Sequence, residues 1–575
     1  MKELSVITLL LTFMISISAQ STTDTVYIDQ SQALQISAII NADTSVSEYR
    51  VYVLERGARY FIEHAFEINS SCKFIATGDE NLAPPLLLAA IRADDSNEEW
   101  FFKFIQSDID VELNDLYLLA MRPDGLTLGS GRAIWFGASN VSLKARGIVF
   151  DGFSDGGIKI DGNYYKLDVQ DCHFRNLQHA TSWFGGQPML TGGYVKPDTT
   201  IFINNTFFAC NSYIFSIRGL GPKAVFEHNT IVYGVVNPFI VDQAANLIMD
   251  NNLFYGAHAM GGTPAQVHGG WFWSYPDSVR SSIYQISKKG FFNGEEIYGP
   301  EEMNDTTAGL IFEPSTRVHQ ATFNNISNPE KLVQFYSDWN DTVTVYDSVN
   351  TIAGKRYLKR TLTMAGWTND FVEDVLDSLT NPNNWDYAPG VNVANNMFLD
   401  PQFTDTEMLA HVDSLIDFIH GIATDKLDNT WPYKMTYPPA WPLPEDLSYT
   451  NSALIHGGSD GFAIGDLNWF PEQKEQWVTG VEVIDELPQG FELSQNYPNP
   501  FNPTTKIKFS IAAQGNYALK IYNVLGQEVA QLHSGELNIG TYETTFNASR
   551  LGSGVYFYTL IGDNVNITKK MMLIK

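Results

Sequence analysis

Basic side chains lie near carboxylates throughout residues 144–175, a combination that could perform proton transfer. The candidates are Lys144, Arg146, Lys159, Lys166 and Arg175, with Asp151, Asp155, Asp161, Asp168 and Asp171. A Lys or Arg base could remove the proton α to a uronate carboxylate, provided that Ca²⁺ held by the Asp side chains neutralised the uronate. The other interpretation, which we favour, is that these are solvated residues on outward faces and corners, where charge is expected. No catalytic residue is assigned.

Aromatic residues in or near glycine-rich segments are a second candidate set. They are Trp135, Trp183, Trp271, Trp273 and Tyr275. Sugar rings present C–H faces that stack on aromatic planes, and Trp and Tyr also offer a polar group. Core packing competes with this role at every position, most strongly at Trp135 and Trp183. The predicted carbohydrate-binding residues are Trp183, Trp271, Trp273 and Tyr275.

The composition restricts the function classes. The 575 residues carry a net charge of −29, with 44% hydrophobic and 18% charged residues, which is typical of a globular protein. Such an acidic chain repels nucleic acid and argues against a polyanionic pectin substrate unless a basic patch or Ca²⁺ intervenes. Cys72, Cys172 and Cys210 form no disulfide framework. Cys172-His173 lacks a second ligand pair nearby, so we predict packing and no metal site.

These residues must be positioned by a repeated element. A short apolar run bounded by Asn, Asp or Gly starts at Gly147, Asp171, Asn205, Asn229 and Asn251, at intervals of 24, 34, 24 and 22 residues. Further copies start at Asn114 and Asn395. These intervals are typical of solenoid coils, and runs rich in Phe, Tyr, Ile and Val indicate strands. The sequence therefore predicts an all-β solenoid; a β-sandwich with irregular spacing is the alternative.

Two local predictions follow from the repeat. Equivalent positions of successive strands should point inward and stack between coils. The expected inward ladder is Phe150, Phe174, Phe208, Val232 and Phe254. The Asn and Asp residues that start the runs should form tight corners, since both tolerate the left-handed backbone region.

The coils resemble the right-handed parallel β-helix of the pectate-lyase-like superfamily over about residues 100–410. The resemblance is clearest at residues 395–403, Asn-Asn-Met-Phe-Leu-Asp-Pro-Gln-Phe. It implies the fold but no activity, because this fold carries lyases, hydrolases, adhesins and stalks. A polygalacturonase of this superfamily would need paired Asp residues on adjacent coils and a Gly-His-Gly motif. The chain has one Asp pair, Asp94-Asp95, before the clear coils, and no Gly-His-Gly, so pectin hydrolysis is not expected.

The remaining segments divide the chain. Residues 1–19 are expected to be a signal peptide, and no other run reaches 18 apolar residues, so no transmembrane segment is predicted. The β-helix domain is placed at 20–480, with an N-terminal cap over about 20–100 and a large insertion at about 257–390. Helices are predicted over 371–379 and 406–422. Residues 465–471 should pack on the C-terminal end of the solenoid, and 481–490 form an acidic linker.

Residues 491–575 are predicted to form a small Ig-like β-sandwich of about six short strands. The run Asn496–Thr505, then Ile521–Gln527, then Leu551–Tyr556 and the last residues Lys569–Lys575 resemble a type A sorting domain of the type IX secretion system. The resemblance implies passage through the periplasm and outer membrane, removal of the domain by a surface sortase, and release or surface attachment. The residues implied as sorting signal are Asn499, Pro500, Phe501, Asn502, Pro503, Gly554, Tyr556, Lys569 and Lys575.

Two functions remain open for the coiled domain. One is binding of a glycan or a surface partner without catalysis, and without a cofactor. The other is a polysaccharide lyase or glycoside hydrolase, with Ca²⁺ if it is a lyase. Convergence of a base and carboxylates in one groove would favour the enzyme, whereas scattered charges would favour binding. The bulky insertion argues against a plain structural stalk.

Overall fold

The computed structural model describes most of the chain in numbered segments. The described residues are 25–43, 50–179, 185–191, 195–216, 223–236, 238–240, 246–259, 282–284, 286, 290–292, 295–298, 317–342, 367–368, 370–384, 387–423, 430–480, 491–496, 498–511, 515–524, 526–537, 540–548, 551–562 and 565–574. The predicted signal peptide and linker lie outside these residues.

Three parallel sheets make up the coils, and strands are numbered along the chain. The eleven-stranded sheet contains β1 (Thr25–Ile28), β2 (Arg50–Glu55), β5 (Cys72–Thr77), β8 (Ile109–Asn114), β11 (Val141–Arg146), β14 (Tyr165–Gln170), β17 (Pro197–Ile203), β20 (Ala224–Glu227), β23 (Asn246–Asp250), β27 (Val318–Gln320) and β29 (Gly390–Asn392). The nine-stranded sheet contains β3 (Arg59–Ile62), β6 (Leu86–Ala89), β9 (Tyr117–Leu119), β12 (Val149–Asp151), β15 (His173–Arg175), β18 (Thr206–Cys210), β21 (Thr230–Gly234), β24 (Leu253–Tyr255) and β28 (Asn325–Ser327). The five-stranded sheet contains β4 (Phe66–Ile68), β7 (Trp100–Phe104), β10 (Arg132–Phe136), β13 (Gly156–Ile160) and β16 (Met189–Thr191).

Neighbours within each sheet are strands of successive coils, which confirms the predicted parallel β-helix. Strand β19 (Phe215–Ser216) pairs in parallel with β22 (Phe239–Ile240), and the amide of Met189 on β16 donates to Ile214 O, so these two strands continue the stack of the five-stranded sheet. Strand β25 (Gly290–Phe292) pairs with β26 (Glu295–Tyr298) in antiparallel orientation. No helix among the described residues is long and apolar enough to cross a membrane.

The inward ladder differs from the predicted one at two positions. The strand register aligns Phe150, Phe174, Phe207, Ile231 and Phe254. Phe208 and Val232, which we predicted for the ladder, are instead aligned with Arg175 on the opposite face of the sheet. The prediction was wrong there because Asn205 and Asn229 were taken as run starts, although each is the second residue of its run.

The corners explain that shift by one residue. From Asp115 onward, the residue that begins the turn after each strand of the eleven-stranded sheet has positive φ: Asp115, Gly147, Asp171, Asn204, His228, Asn251, Phe323 and Asn395. Asn204 and His228 therefore hold the corner positions in their coils, and Asn205 and Asn229 follow them. Asn and Asp are the side chains that occupy this region at least cost, as predicted.

The residue after the corner forms a buried asparagine ladder. Asn205, Asn229, Asn252 and Asn324 each donate from Nδ2 to Oδ1 of the next asparagine, at 2.9, 3.0, 2.9 and 3.0 Å, and Asn396 receives the last bond. Each of the five also donates to a main-chain carbonyl. The ladder links five successive coils through their corners.

Helix α1 (Ile36–Ala42) covers the first coil. Ser37 Oγ accepts from the amides of Glu63 and His64, and Asn41 Oδ1 accepts from the amide of Glu67. These bonds satisfy edge amides that an open solenoid end would expose. Strands β2 to β7 pair in the same sheets as later coils, so the coils begin well before residue 100, where we placed the end of the cap.

The region of the expected insertion contains a coil. Strands β27 and β28 pair with β23 and β24 and bring Asn324 into the asparagine ladder. Helix α2 (Glu330–Thr342) follows this coil, and α3 (Asp370–Thr380) matches the helix predicted over 371–379. The coil at β27–β28 therefore divides the region that we predicted as one insertion.

Residues 430–480, here called the strap, run back along the outer side of the nine-stranded sheet. They follow helices α4 (Thr406–Ala410) and α5 (Val412–Ala423), which replace the single helix predicted over 406–422, and they contain α6 (Ser452–Ile455) and α7 (Pro471–Gly480). Asp466 accepts from Thr206 Oγ1 at 2.7 Å and donates its amide to Thr230 Oγ1 at 2.8 Å. Residues 465–471 thus pack on the flank of the coils. The prediction that they pack on the C-terminal end was wrong.

The C-terminal segment has two antiparallel sheets with a hydrophobic core of their own. Its strands are β30 (Glu492–Leu493), β31 (Thr504–Ile511), β32 (Gly515–Asn523), β33 (Glu528–Leu537), β34 (Gly540–Asn547), β35 (Gly554–Gly562) and β36 (Val565–Leu573). The predicted small β-sandwich is confirmed, with six longer strands and one short one.

Candidate functional site

An exposed row of side chains crosses the five-stranded sheet. The register aligns Glu67, Lys103, Trp135, Lys159 and Leu190 on β4, β7, β10, β13 and β16. All five are at least partly exposed, whereas the next residues of the three middle strands, Phe104, Phe136 and Ile160, are fully buried. The row therefore stands on the outer surface, with one residue from each coil.

Two indoles form the centre of this surface. Trp100 and Trp135 lie on adjacent strands with ring centroids 5.9 Å apart, and the guanidinium of Arg132 lies 4.9 Å from the ring centroid of Trp100. Gly137 makes room for the second indole: a Cβ there would be 2.7 Å from Cη2 of Trp135. Trp135 Nε1 donates to Asp161 Oδ2 at 2.7 Å, which fixes the ring from the next coil.

Charged groups surround the indoles. Arg132 pairs with Asp155, and Lys159 Nζ lies 3.4 Å from Asp161 Oδ2. Lys103 has no ion pair with any carboxylate of the described residues. We call the surface formed by Trp100, Lys103, Arg132, Trp135, Asp155, Lys159 and Asp161 the five-strand face.

The five-strand face combines flat apolar rings with hydrogen-bonding groups of both signs. Cations and carboxylates are equally represented if Glu67 is included, so this surface is locally neutral on an acidic protein. Indole planes can stack against sugar C–H faces, while carboxylates and ammonium groups can bond hydroxyls. The arrangement is suited to binding a sugar chain on a surface that faces solvent.

The outer side of the nine-stranded sheet is occupied by the strap. Trp431 donates its amide to Gln178 Oε1 at 2.7 Å and its Nε1 to Asn211 Oδ1 at 2.9 Å, and the amide of Tyr433 donates to Asn176 Oδ1 at 2.7 Å. These three side chains, which follow strands β15 and β18, are buried. The strap therefore uses polar groups of the coils that would otherwise face solvent.

A buried ion network fastens the strap at Arg175. Its guanidinium donates to Asp151 Oδ2 at 2.6 Å and to both oxygens of Glu445 at 2.8 and 3.1 Å, and Tyr117 donates to the same Asp151 oxygen at 2.7 Å. Burial lowers the pKa of Arg175, but the two carboxylates outweigh it and keep the pKa above its ordinary value. Burial raises the pKa of Glu445, but Arg175 brings that pKa down to about 2.

The ten basic and acidic candidates are distributed over three sheets. Lys144, Arg146, Lys166 and Asp168 lie in the eleven-stranded sheet, Lys159 in the five-stranded sheet, and Asp151 and Arg175 in the nine-stranded sheet. Asp155 and Asp161 flank β13, and Asp171 is a corner residue paired with Lys474 of the strap. Arg146 pairs with Asp168 at 2.5 Å, and Lys166 lies 3.4 Å from Asp198. These residues do not converge in one groove.

The described residues contain no group of three or more His, Cys, Asp or Glu side chains arranged to hold a metal ion. Cys172 is buried, and burial raises the pKa of its thiol above the ordinary value. His173, the next residue, points to the other side of the strand, where its Nε2 lies 2.9 Å from Glu445 Oε1.

The four predicted carbohydrate-binding residues, Trp183, Trp271, Trp273 and Tyr275, lie outside the described residues. Trp135 is described, and it is a surface residue although core packing was favoured for it. Trp100, Lys103 and Arg132 were not predicted from the sequence as residues of a binding surface. Their signal was present: residues 100–104 (Trp-Phe-Phe-Lys-Phe) and 132–136 (Arg-Ala-Ile-Trp-Phe) share outward residues at the first and fourth positions and Phe at the fifth.

The predicted sorting residues meet at one end of the C-terminal domain. Asn499 accepts from the amide of Met572 at 2.9 Å, and the amide of Phe501 donates to Met572 O at 2.9 Å. Phe501 is buried, and its carbonyl accepts from the amide of Ile574 at 3.0 Å. The turn that contains the Asn-Pro-Phe-Asn-Pro sequence is thereby bonded along the last strand.

The other sorting residues border the same end. Gly554 begins β35 with φ of 156° and is aligned with Leu573, and the Tyr556 hydroxyl donates to Gly552 O at 2.8 Å. Lys569, in the middle of β36, is aligned with Tyr558 on β35. Asn502 is exposed and Pro503 accepts from the amide of Ala548, whereas Lys575 lies outside the described residues.

Residues 495–575 match the family described as a secretion system C-terminal sorting domain. This domain marks the protein for export by the type IX secretion system to the cell surface or the extracellular space. No curated protein matches the chain. The family covers the C-terminal domain alone, so the function of the coils must be argued from their geometry.

Proposed function

We propose that the exported protein is a glycan-binding protein and that the five-strand face is its binding site. The observation that carries this proposal is the pair of adjacent indoles, Trp100 and Trp135, partly exposed on a parallel sheet and flanked by Arg132, Lys159 and Asp161. Stacking on two rings with hydrogen bonds at their rims is the recognition mode expected for sugars.

The other outer faces are less suited to this role. The strap covers the nine-stranded sheet, with contacts from Tyr117 to Asn251. On the eleven-stranded sheet, the register aligns Lys73, Glu112, Lys144 and Asp168, an alternating charged row without an aromatic ring. Scattered candidate bases and carboxylates favour binding over the lyase or hydrolase alternative, for which no specific observation is at hand.

The test is retention of the protein by glycans. The full chain is run in affinity electrophoresis against neutral and acidic polysaccharides, and Trp135→Ala and Trp100→Ala variants are compared with it. We expect a retained wild type and a loss of roughly fivefold to tenfold in affinity for Trp135→Ala, because one stacked ring contributes about 1–1.5 kcal/mol.

Trp441→Ala is the matched control, since Trp441 is an exposed indole on the strap, away from the five-strand face. It should bind like the wild type, and all three variants should keep the thermal transition because the three rings are exposed or half-buried. The proposal is refuted if none of the glycans retains the wild-type protein, or if Trp135→Ala binds as tightly as the wild type.

A further inference from the structure

We propose that the ligand is a linear polysaccharide that carries a carboxylate on alternate sugars, bound parallel to the solenoid axis. This inference rests on the proposed glycan-binding function and adds the chemical class of the ligand. It is carried by the row Lys103, Trp135 and Lys159, which places a cation, an indole and a cation on three successive coils.

The spacing of the coils sets the repeat that the row can recognise. Neighbouring strands of a sheet lie about 4.8 Å apart, so Lys103 and Lys159, two coils apart, are separated by roughly 10 Å at the backbone. In an extended chain of pyranose rings, the distance from one ring to the next is similar to the distance between neighbouring strands of the sheet. One sugar then stacks on Trp135, and the sugars before and after it face Lys103 and Lys159.

The charges of the face distinguish these positions. Lys103 has no carboxylate partner among the described residues, and the Lys159–Asp161 contact of 3.4 Å is between side chains about one-third exposed, which is a weak ion pair. Both ammonium groups can therefore bond a ligand carboxylate.

The middle position disfavours a carboxylate. Asp161 is hydrogen-bonded to Trp135 Nε1 and lies beside the sugar stacked on that ring. A sugar hydroxyl can donate to Asp161, whereas a second carboxylate would be repelled by it. A polymer with an acid on every ring meets this repulsion, and a neutral polymer leaves Lys103 and Lys159 without a partner. An acid on every second ring satisfies all three positions.

Titration calorimetry of the full chain with three oligosaccharides of equal length tests this inference. The probes are hyaluronan oligosaccharides, which have glucuronate on alternate sugars, cellohexaose, which is neutral, and hexagalacturonate, which has an acid on every ring. We expect hyaluronan to bind tightest and its affinity to fall at high salt, since exposed charge pairs are screened. Lys103→Gln and Lys159→Gln should each weaken hyaluronan binding by roughly threefold to tenfold.

Control variants separate the outcomes. Lys103→Arg keeps the charge and should keep the binding, and Lys144→Gln removes an exposed lysine from the eleven-stranded sheet and should change nothing. If cellohexaose or hexagalacturonate binds as tightly as hyaluronan, or if Lys103→Gln and Lys159→Gln bind like the wild type, the alternating class is wrong while glycan binding stands. If none of the three binds and the polysaccharide panel is also negative, the proposed function itself fails.

Discussion

Arg175 joins the coils to the strap through buried ion pairs. It is 1% exposed and holds Asp151 from the coils and Glu445 from the strap, 270 residues away in sequence. Glu445→Gln removes one of its two carboxylates, and we expect the free energy of unfolding to fall by about 2–3 kcal/mol at neutral pH. Urea denaturation of the two proteins measures this difference.

The pH dependence of this effect has a definite sign. The pKa of Glu445 in the folded protein, about 2, is below its ordinary value of 4.5, so its contribution is complete above pH 4.5 and is lost as pH falls through about 2. Wild type and variant should converge in acid. Asp413→Asn, which breaks the exposed pair with Lys331, should cost less than about 1 kcal/mol, and an equal cost for both variants would contradict the role of the buried network.

At the residue scale, the sequence predicted that Asn and Asp form the corners. It did not predict which residue of each run holds the corner position. The run starting at Asn205 contains Phe207 and Phe208, which are both apolar and both buried, one toward the interior and one under the strap. A strand that is buried on both faces loses the polar–apolar alternation that would reveal its register. Phe208 and Val232 were therefore assigned to the wrong side.

At the element scale, the asparagine ladder couples one coil to the next. Asn252 accepts from the amide and side chain of Asn229 and donates to Phe226 O and Asn324 Oδ1. Asn252→Ala leaves several of these buried groups without a partner, each at about 1–3 kcal/mol. We expect the free energy of unfolding to fall by at least about 3 kcal/mol in urea denaturation.

Asn396→Ala is the comparison, because Asn396 ends the ladder and is half-buried, so that water can replace its bonds. It should cost about 1 kcal/mol. Equal losses at Asn252 and Asn396 would show that burial along the ladder does not control its contribution.

The ladder also shows which elements could be predicted. Asn324-Asn325-Ile326 repeats an Asn-Asn-apolar pattern, and Asn324 holds the ladder position of Asn252, yet Asn324 lies 72 residues from both Asn252 and Asn396. An interval of this length hides the coil from a search for periods of 22 to 34 residues. Of the strap, only the packing of residues 465–471 on the solenoid was predicted, and at the wrong place, because its contacts join residues more than 200 positions apart, such as Asn251 and Ser459.

At the scale of the whole molecule, the coiled part and the sorting domain have separate hydrophobic cores. Residues 491–575 have seven Lys and Arg against five Asp and Glu, although the whole chain has a net charge of −29, so the excess of acidic residues lies in residues 1–490. The cores of the coiled part and of the sorting domain share no buried residue. Each part should therefore fold without the other.

Removal of residues 491–575 tests this separation. Because the strap ends before the sorting domain, the shortened protein should keep the thermal transition of the coils and lose only the transition of the small domain, as followed by calorimetry. In cells it should accumulate in the periplasm, since the sorting domain directs export. A control with Val524→Thr, at an exposed position of that domain, should be exported normally. If the coils fail to fold without residues 491–575, the two parts are one cooperative unit, and glycan binding measured on the full chain cannot be assigned to the coils alone.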